Sequence, residues 1–538
     1  MSSPGPATGS ERRAAAGSRG VRGVRESWVL LALVALAAGL YLPNLNDYFL
    51  GDDFDLIRSF YGKPARYFVE LLWSNESGDA WKSWGIDPAL GRGYLRPVKI
   101  WFLALDFAIW GTTPLGFHIT STIFFVATVL LVFAILRRVL PERPFLAWAG
   151  AGAAALHPVF SEVVPFITAR EEIMTTALGL GSFVAFLRHR QEGRSPALFA
   201  LLYALALLTK ESSIVFLALP LGYDLAHGRL PPRSRVAWRG TLRSYAPALA
   251  VLAAYFALRW IAFGNFKGGD GEATNYLSPA AFVAFHTRFF RSLVDPTLFA
   301  PGGDPRVRVA AGALALLLVG AVALRLRRVA PARRRDLVFF GPLWYLGSTA
   351  ILHGTYFAVR HHGPQVIGLA LFVTLLLDTL LGPKASRWGE RGLAAGLLGV
   401  AAALFLSPTL ETGAEFGAAS RAVREIRAQV EEKTADLPPG STISLLGVPQ
   451  GILPPYYFGW GLLSSLKLPF TRTDVASRST VINARNLSLN RIEARLPTHY
   501  DLVLEFDPDD WITPELRERS YERHWREGFI RSGVRDQF

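Results

Sequence analysis

Long apolar segments alternate with short polar and basic stretches along most of this sequence. The first apolar segment runs from roughly Trp28 to Leu45, and about 20 apolar residues are enough to cross a bilayer as a helix. Comparable segments follow at roughly 116–136, 144–159, 172–187, 196–209, 212–226, 245–264, 307–324, 337–354, 363–381 and 392–408. The pattern therefore predicts an α-helical polytopic membrane protein with about eleven transmembrane helices.

The composition agrees with this prediction. Of the 538 residues, 51% are hydrophobic and 19% are charged, whereas soluble proteins carry about 25% charged residues. The net charge of +14 does not indicate a nucleic-acid partner, because the lysines and arginines stand in short clusters between apolar segments. The sequence contains no cysteine, which excludes disulfides and thiolate chemistry.

The basic clusters also predict the orientation. Residues 1–26 are rich in arginine, and such segments stay on the cytoplasmic side. We therefore expect a cytoplasmic tail over 1–26, a transmembrane domain over 27–410 and an outer loop over 46–115. The first segment is interpreted as a retained anchor rather than a signal peptide, because it has no clear small-residue cleavage site.

The segment 97–112 is ambiguous, because Lys99 and Asp106 interrupt its short apolar run. Counting it as a span would place all the later arginine clusters outside. We therefore expect a helix that lies in the outer membrane interface.

Residues 411–538 have a different pattern. A helix is predicted over Ala418–Lys433, buried strands over Ser441–Val448 and Tyr500–Phe506, and a polar helix within Asp507–Gly528. This length suits one small α/β domain, which the odd number of spans places on the extracytoplasmic side. We expect this domain to present or select an acceptor.

An acidic motif, Gly51-Asp52-Asp53-Phe54-Asp55, follows the first apolar segment directly. Charge at a membrane boundary is costly and is a functional candidate by default. The alternative is a solvated loop that only marks the membrane edge. We expect catalysis at Asp52 and Asp53.

Further polar residues are predicted at the same outer face. They are Arg96, His157, Glu162, Arg170, Glu171, Glu172, Lys210, Arg360 and His361. Carboxylates beside fixed cations suit transfer from a phosphate leaving group, because a carboxylate takes the acceptor proton while cations stabilise the developing phosphate charge. Structural alternatives remain for several of these residues: an ion pair at a helix start for Arg170, a side chain extending to the interface for Lys210, and a turn at a span end for His157.

At this point the order of motifs resembles a known family. Asp52-Asp53, Leu95-Arg96-Pro97, Phe117-His118, His157-Pro158 through Arg170-Glu171-Glu172, Leu208-Thr209-Lys210-Glu211 and Arg360 follow one another over roughly residues 28–408. This series is similar to the GT-C superfamily of polyprenyl-phosphate-sugar glycosyltransferases. It looks most like the transmembrane O-mannosyltransferases that carry tetratricopeptide repeats, although no repeat is visible in this tail.

The resemblance implies a GT-C-like transmembrane domain and an inverting glycosyltransferase, with Asp52 as the catalytic base. We expect Asp53 to orient the base or the acceptor, and we expect the remaining residues to bind substrate. The donor phosphate is assigned to Arg170, Lys210, Arg360 and His361, and other substrate contacts are assigned to Arg96, His157, Glu162, Glu171 and Glu172. Ala169-Arg170-Glu171 and Arg360-His361-His362 depart from the family's usual residues at these places.

The expected reaction moves a sugar, with mannose as a candidate, from a polyprenyl-phosphate donor to a hydroxyl of a protein or an envelope glycan or lipid. It would take place at the outer face of a bacterial-type inner membrane. No cofactor or metal site is expected, since two adjacent histidines without spaced carboxylates are a poor metal signature; dependence on a divalent metal is left open. A transporter or flippase of lipid-linked saccharide is the main alternative, although transporters usually place charge near the midplane and contain internal repeats. An envelope scaffold is a third possibility.

Overall fold

The computed structural model describes residues 27–74, 93–231, 234–266, 329–350, 358–382, 385–449, 455–459, 461–483, 499–507 and 510–511, with isolated residues between 283 and 313. The expectations for the basic tail 1–26, the span 307–324, most of the outer segment 265–306 and most of the polar helix in 507–528 lie outside these residues.

Helices make up most of the described chain. They are α1 (Ser27–Asn44), α2 (Asp52–Phe60), α3 (Ala65–Glu70), α4 (Pro97–Trp110), α5 (Pro114–Val139), α6 (Pro144–Leu156), α7 (Arg170–Glu192), α8 (Ala197–Leu207), α9 (Val215–Ala226), α10 (Arg235–Phe263), α11 (Pro331–Val338), α12 (Trp344–Thr349), α13 (Gly363–Leu381), α14 (Arg387–Lys433), α15 (Leu462–Ser465) and α16 (Val475–Arg478). A π-helical turn, Phe339–Leu343, joins α11 to α12, and short 3-10 helices cover Pro158–Glu162, Glu211–Ile214 and Val359–His362.

Several of these helices suit a membrane. In the described part of the chain, five are long and apolar enough to span a bilayer: α1, α5, α10, the segment Val359–Leu381 that contains α13, and α14. Large apolar side chains such as Ile123 of α5 and Trp260 and Ile261 of α10 remain exposed on their surfaces, as expected for lipid-facing helices. The chain is an integral membrane protein, as predicted. The total of about eleven spans stays a prediction.

Helix α14 joins two elements that the sequence analysis treated separately. The predicted span 392–408 and the predicted helix Ala418–Lys433 form one continuous helix of 47 residues, with Pro408 inside it. The C-terminal half of α14 packs on the end of α1 and on the chain that follows it. Gly413 accepts a hydrogen bond from the Asn44 side chain at 2.8 Å, and Ser420 accepts one from the amide of Tyr48. These contacts let the helix continue past the end of the apolar segment.

The C-terminal strands form one small parallel sheet in the order β2-β1-β3. The strands are β1 (Thr442–Leu446), β2 (Thr480–Asn483) and β3 (Leu502–Glu505). The sequence predicted β1 and β3, and it missed the four-residue β2. Parallel neighbours need a crossover connection, and α15 and α16 lie in the connection between β1 and β2.

Helix α4 shows why the ambiguous segment was hard to assign. Its charged residues Lys99 and Asp106 are buried, whereas Leu105, Ile109 and Trp110 are exposed. An apolar face turned outward is what a helix beside lipid requires. The predicted location in the outer interface agrees with this burial pattern and stays a prediction.

Two apolar cores hold the molecule together. The larger core lies among the membrane helices, where α5, α6, α7 and α14 pack against one another. The second core connects the acidic motif to the tail: Phe49 and Phe54 of the motif region contact Phe470, with ring centroids 5.4 Å and 4.8 Å apart. The motif therefore lies between the membrane helices and the C-terminal segment.

Candidate active site

A cluster of ion pairs forms where α4 and α7 begin and where α8 ends. Arg96, directly before α4, donates to Glu171 of α7 at 2.7 Å. Its guanidinium also contacts both carboxylate oxygens of Glu211, at 2.5 Å and 2.9 Å. This two-point contact fixes the plane of the guanidinium.

Two lysines and a histidine extend the same cluster. Lys99 Nζ lies 2.6 Å from one oxygen of Glu171, and Lys210 Nζ lies 3.1 Å from the other. Lys210 also pairs with Glu172, and His361 Nε2 lies 3.3 Å from the same Glu172 oxygen. Arg360, beside His361, acts electrostatically on Glu172.

Cations are concentrated in this cluster. Within the described chain, four fixed cations (Arg96, Lys99, Lys210 and Arg360, called here the cation cluster) lie around the carboxylates of Glu171, Glu172 and Glu211. Arg96, Lys99 and Lys210 are buried, and Arg360 is half-buried. Several arginine and lysine side chains in one largely buried place suit an anionic ligand such as a phosphate.

Backbone contacts bring these side chains together. The amide of Val98, in the first turn of α4, donates to the carbonyl of Leu208 at 3.1 Å and so joins α4 to the turn that carries Lys210. The 3-10 helix Pro158–Glu162 packs on Val359–His362, which carries Arg360 and His361. Arg96 also lies over the Tyr94 ring, 4.2 Å from its centroid.

The two adjacent aspartates of the acidic motif have different surroundings. Asp53 is buried and accepts hydrogen bonds from the amide of Leu50 at 2.9 Å and from the amide and hydroxyl of Thr168 at 2.7 Å and 2.6 Å. Burial raises the pKa of Asp53 to about 7, although these hydrogen bonds oppose the shift. Asp52 is half-buried at the start of α2. The more accessible Asp52 is therefore the better candidate for contact with substrate.

Arg170 is held entirely inside the protein. Its guanidinium is fully buried and donates to Asp106 at 2.5 Å, to the Ser121 hydroxyl at 3.0 Å and to the Phe117 carbonyl at 2.5 Å. These partners lie on α4 and α5. Arg170 therefore connects the start of α7 to α4 and α5. Because its guanidinium is buried among these partners, the structure does not favour the predicted contact with a donor phosphate.

Comparisons with known proteins agree with this geometry. Residues 95–260 match the family described as dolichyl-phosphate-mannose-protein mannosyltransferase. Among curated relatives, protein O-mannosyl-transferase Tmtc1 of Drosophila melanogaster is 32% identical over 34% of this chain and 21% of its own length. Protein O-mannosyl-transferase F38B6.6 of Caenorhabditis elegans is 25% identical over 49% of this chain and 35% of its own length. The matched region is thus about a fifth to a third of each relative.

Among solved structures, ArnT from Cupriavidus metallidurans in the apo state is similar over 87% of this chain and 88% of its own, with a TM-score of 0.50 and 14% identity. The chain has the ArnT-like GT-C fold. The predicted resemblance to GT-C glycosyltransferases, and to the TMTC O-mannosyltransferases among them, is confirmed. These similarities support a glycosyltransferase.

In this GT-C fold, most of the predicted site residues come together. Arg96, Glu171, Glu172, Lys210, Arg360 and His361 all belong to the ion-pair cluster. His157 and Glu162 are buried at the two ends of the 3-10 helix Pro158–Glu162. The His157 ring accepts from the amide of Val159 at 3.2 Å and packs on Phe405, 4.7 Å between centroids. Their predicted roles in substrate binding stay predictions.

Sequence reasoning missed Lys99 and Tyr456 as members of the candidate site, and it gave no separate role to Glu211 and Thr168, which stood only within longer motifs. Lys99 offered a usable signal, because it follows Arg96 by three residues and so lies on the same face of α4. Tyr456 offered none: it comes from the C-terminal segment, yet its hydroxyl accepts a hydrogen bond from Arg360 at 3.2 Å.

Proposed function

We propose that this protein is an inverting glycosyltransferase that uses a polyprenyl-phosphate sugar, with mannose as the leading candidate. The acceptor is a hydroxyl group of a protein or an envelope glycan or lipid. The single observation that carries this proposal is the cation cluster, a largely buried group of four cations that Tyr456 connects to Gly51, the residue before the half-buried Asp52. The mannosyltransferase names of the relatives support the choice of sugar.

In the proposed reaction, Asp52 removes the proton of the acceptor hydroxyl. The acceptor oxygen then forms a bond to the anomeric carbon of the sugar, while the bond from that carbon to the phosphate oxygen breaks. The bonding electrons leave with the phosphate, where positive charge stabilises them. A single displacement inverts the anomeric configuration.

The roles of the other residues follow from their contacts. Lys210, Arg360 and His361 hold the donor phosphate, and Glu172 positions them. Arg96 and Lys99 keep Glu171 in place, and Arg170 supports the start of α7. Asp53 fixes the loop that contains Thr168, so that Asp52 and the cation cluster keep a constant separation.

The proposed location is the outer face of a bacterial-type inner membrane, with the N-terminus in the cytoplasm. The distribution of lysine and arginine between the apolar segments supports this orientation. The C-terminal sheet then lies outside the membrane, on the side from which a water-soluble acceptor arrives.

A transfer assay with purified full-length protein tests the proposal. The protein is incubated with radiolabelled undecaprenyl-phosphate mannose and a mixture of envelope proteins and glycans. Release of undecaprenyl phosphate together with labelled acceptor is the expected result. In proteoliposomes, movement of the intact lipid across the bilayer without cleavage would instead show a flippase and would overturn the proposal.

A further inference from the structure

The helix that carries the acidic motif is attached to the C-terminal segment along its whole length. At its start, the amide of Gly51 donates to the Tyr457 carbonyl at 2.8 Å. In its first turn, Asp55 accepts a hydrogen bond from the Ser464 hydroxyl, and near its end Arg58 donates to the Leu468 carbonyl. The position of α2 therefore depends on the tail.

The backbones approach one another very closely at the start of α2. A Cβ atom added to Gly461 would lie only 2.0 Å from the carbonyl oxygen of Gly51, and one added to Gly51 would lie 3.0 Å from Cβ of Tyr456. Glycine permits this contact because it has no side chain. The segment around Tyr456 therefore has a defined place beside Asp52.

From this place Tyr456 reaches the cation cluster. Its hydroxyl accepts a hydrogen bond from Arg360 Nη1 at 3.2 Å, and its ring lies 5.2 Å from the Phe166 ring, centroid to centroid. Phe166 belongs to the loop that precedes α7 and that Asp53 holds through Thr168. One side chain of the tail thus contacts both Arg360 of the cation cluster and the loop that Asp53 holds.

We propose that Tyr456 is a positioning residue of the donor site, which fixes the Arg360 guanidinium for contact with the donor phosphate. This inference rests on the proposed function. A long arginine side chain loses conformational freedom when it binds, and a hydrogen bond that already holds it reduces that loss. The C-terminal segment then contributes to donor binding as well as to acceptor selection.

The test uses Tyr456→Phe, which keeps the ring against Phe166 and removes only the hydroxyl. Arg360→Ala and the double variant complete a double-mutant cycle. Tyr41→Phe is the matched control, because the buried Tyr41 hydroxyl has no hydrogen-bond partner among the described residues. Binding of radiolabelled undecaprenyl-phosphate mannose to each full-length, monodisperse variant is measured, together with kcat and the acceptor KM.

We expect Tyr456→Phe to weaken donor binding about tenfold, as loss of a hydrogen bond to a charged group does. The acceptor KM should stay at the wild-type value, and Tyr41→Phe should bind like the wild type. In the Arg360→Ala background, Tyr456→Phe should have no additional effect.

Two results would overturn the inference about Tyr456 and leave the proposed function unaffected. One is wild-type donor affinity in Tyr456→Phe, and the other is an effect of this variant that persists undiminished in the Arg360→Ala background. Failure of the wild-type protein to bind the donor would overturn the proposed function itself, together with the role of Tyr456 in it.

Discussion

Asp53 accepts two hydrogen bonds from Thr168, one from its amide and one from its hydroxyl. This contact joins the acidic motif to the loop that leads into α7, which carries Glu171 and Glu172. The Asp53 carboxylate is therefore buried and occupied by hydrogen bonds from within the protein, whereas its neighbour Asp52 is half-buried. Two adjacent carboxylates of the same type therefore have separate proposed roles.

The first prediction follows from these separate roles. Asp52→Asn should lower the transfer rate by about 10²–10⁴-fold, because the amide cannot take a proton from the acceptor. Donor affinity should be unchanged, since the cation cluster is intact. Release of polyprenyl phosphate and binding of the labelled donor measure the two quantities. Transfer at the wild-type rate by Asp52→Asn would show that Asp52 is not the base.

The second prediction concerns the dependence of stability on pH. The pKa of Asp53 is about 7 in the folded protein, compared with the ordinary value of 3.8. Between these pH values the folded state binds more protons than the unfolded state, so the free energy of unfolding should fall as the pH rises. The slope due to one proton is at most about 1.4 kcal/mol per pH unit.

Thermal unfolding of wild type and Asp53→Asn in detergent, at several pH values from 4 to 7, measures this effect. The variant cannot titrate at this position, so the difference between the two unfolding temperatures should change steadily with pH. A constant difference over the whole range would contradict the raised pKa.

The third prediction tests whether Arg170 has a structural role or binds the donor. Asp106→Asn leaves the buried Arg170 without its ion-pair partner, and the expected loss of stability is about 3–5 kcal/mol. Donor affinity of the protein that remains folded should be close to the wild-type value. Glu192→Gln, which removes one partner of Arg138 in an exposed pair, should leave the stability close to the wild-type value, because exposed ion pairs contribute little. Normal stability with weakened donor binding in Asp106→Asn would instead assign Arg170 to the donor site.

The fourth prediction tests the close approach of the tail to the acidic motif. Gly461→Ala places a methyl group against the Gly51 carbonyl, so the tail must shift and transfer activity should fall at least about tenfold. Gly396→Ala is the matched control, because a Cβ atom there meets nothing within 4 Å and alanine favours a helix. Full activity in Gly461→Ala would show that the contact with Gly51 is not required.

The fifth prediction concerns metal ions. We expect transfer to continue in the presence of EDTA, because arginine and lysine side chains supply the positive charge at the proposed phosphate site. Activity is measured before and after chelation and after addition of Mg²⁺ or Mn²⁺. Loss of activity that a divalent ion restores would identify the acidic motif as a metal site.

The apolar pattern predicted the membrane helices well where a helix has a continuous apolar segment. The segment predicted at 116–136 corresponds to α5 (Pro114–Val139), and 363–381 corresponds to α13. The pattern failed at α14, since Pro408, Gly413 and Gly417 resemble the end of a helix. Contacts with residues 44–48, which are distant in sequence, stabilise the helix through this region.

The sequence allowed several residues of the candidate site to be predicted, but it did not show which of them contact one another. Membrane-edge position and charge singled out Arg96, Glu171 and Lys210 as candidates, and the structure brings these three side chains into one ion-pair cluster. The same signals led to the prediction that Arg170 binds the donor phosphate. The sequence does not show that Asp106 lies beside Arg170 in the folded protein and forms an ion pair with it. Tyr456 is 96 residues from Arg360, and no local pattern connects positions so far apart.

Helix α14 links the thickness of the bilayer to the geometry of the site. Its 47 residues correspond to a rod of about 70 Å, more than twice the roughly 30 Å of the hydrocarbon layer. Transmembrane helices adjust their tilt when that layer becomes thinner or thicker. A tilt of about 10° moves the end of a protruding length of about 40 Å sideways by about 7 Å. Since this end carries the sheet and the segment that contacts Gly51 and Arg360, we expect the geometry of the candidate site to depend on the thickness of the surrounding lipid.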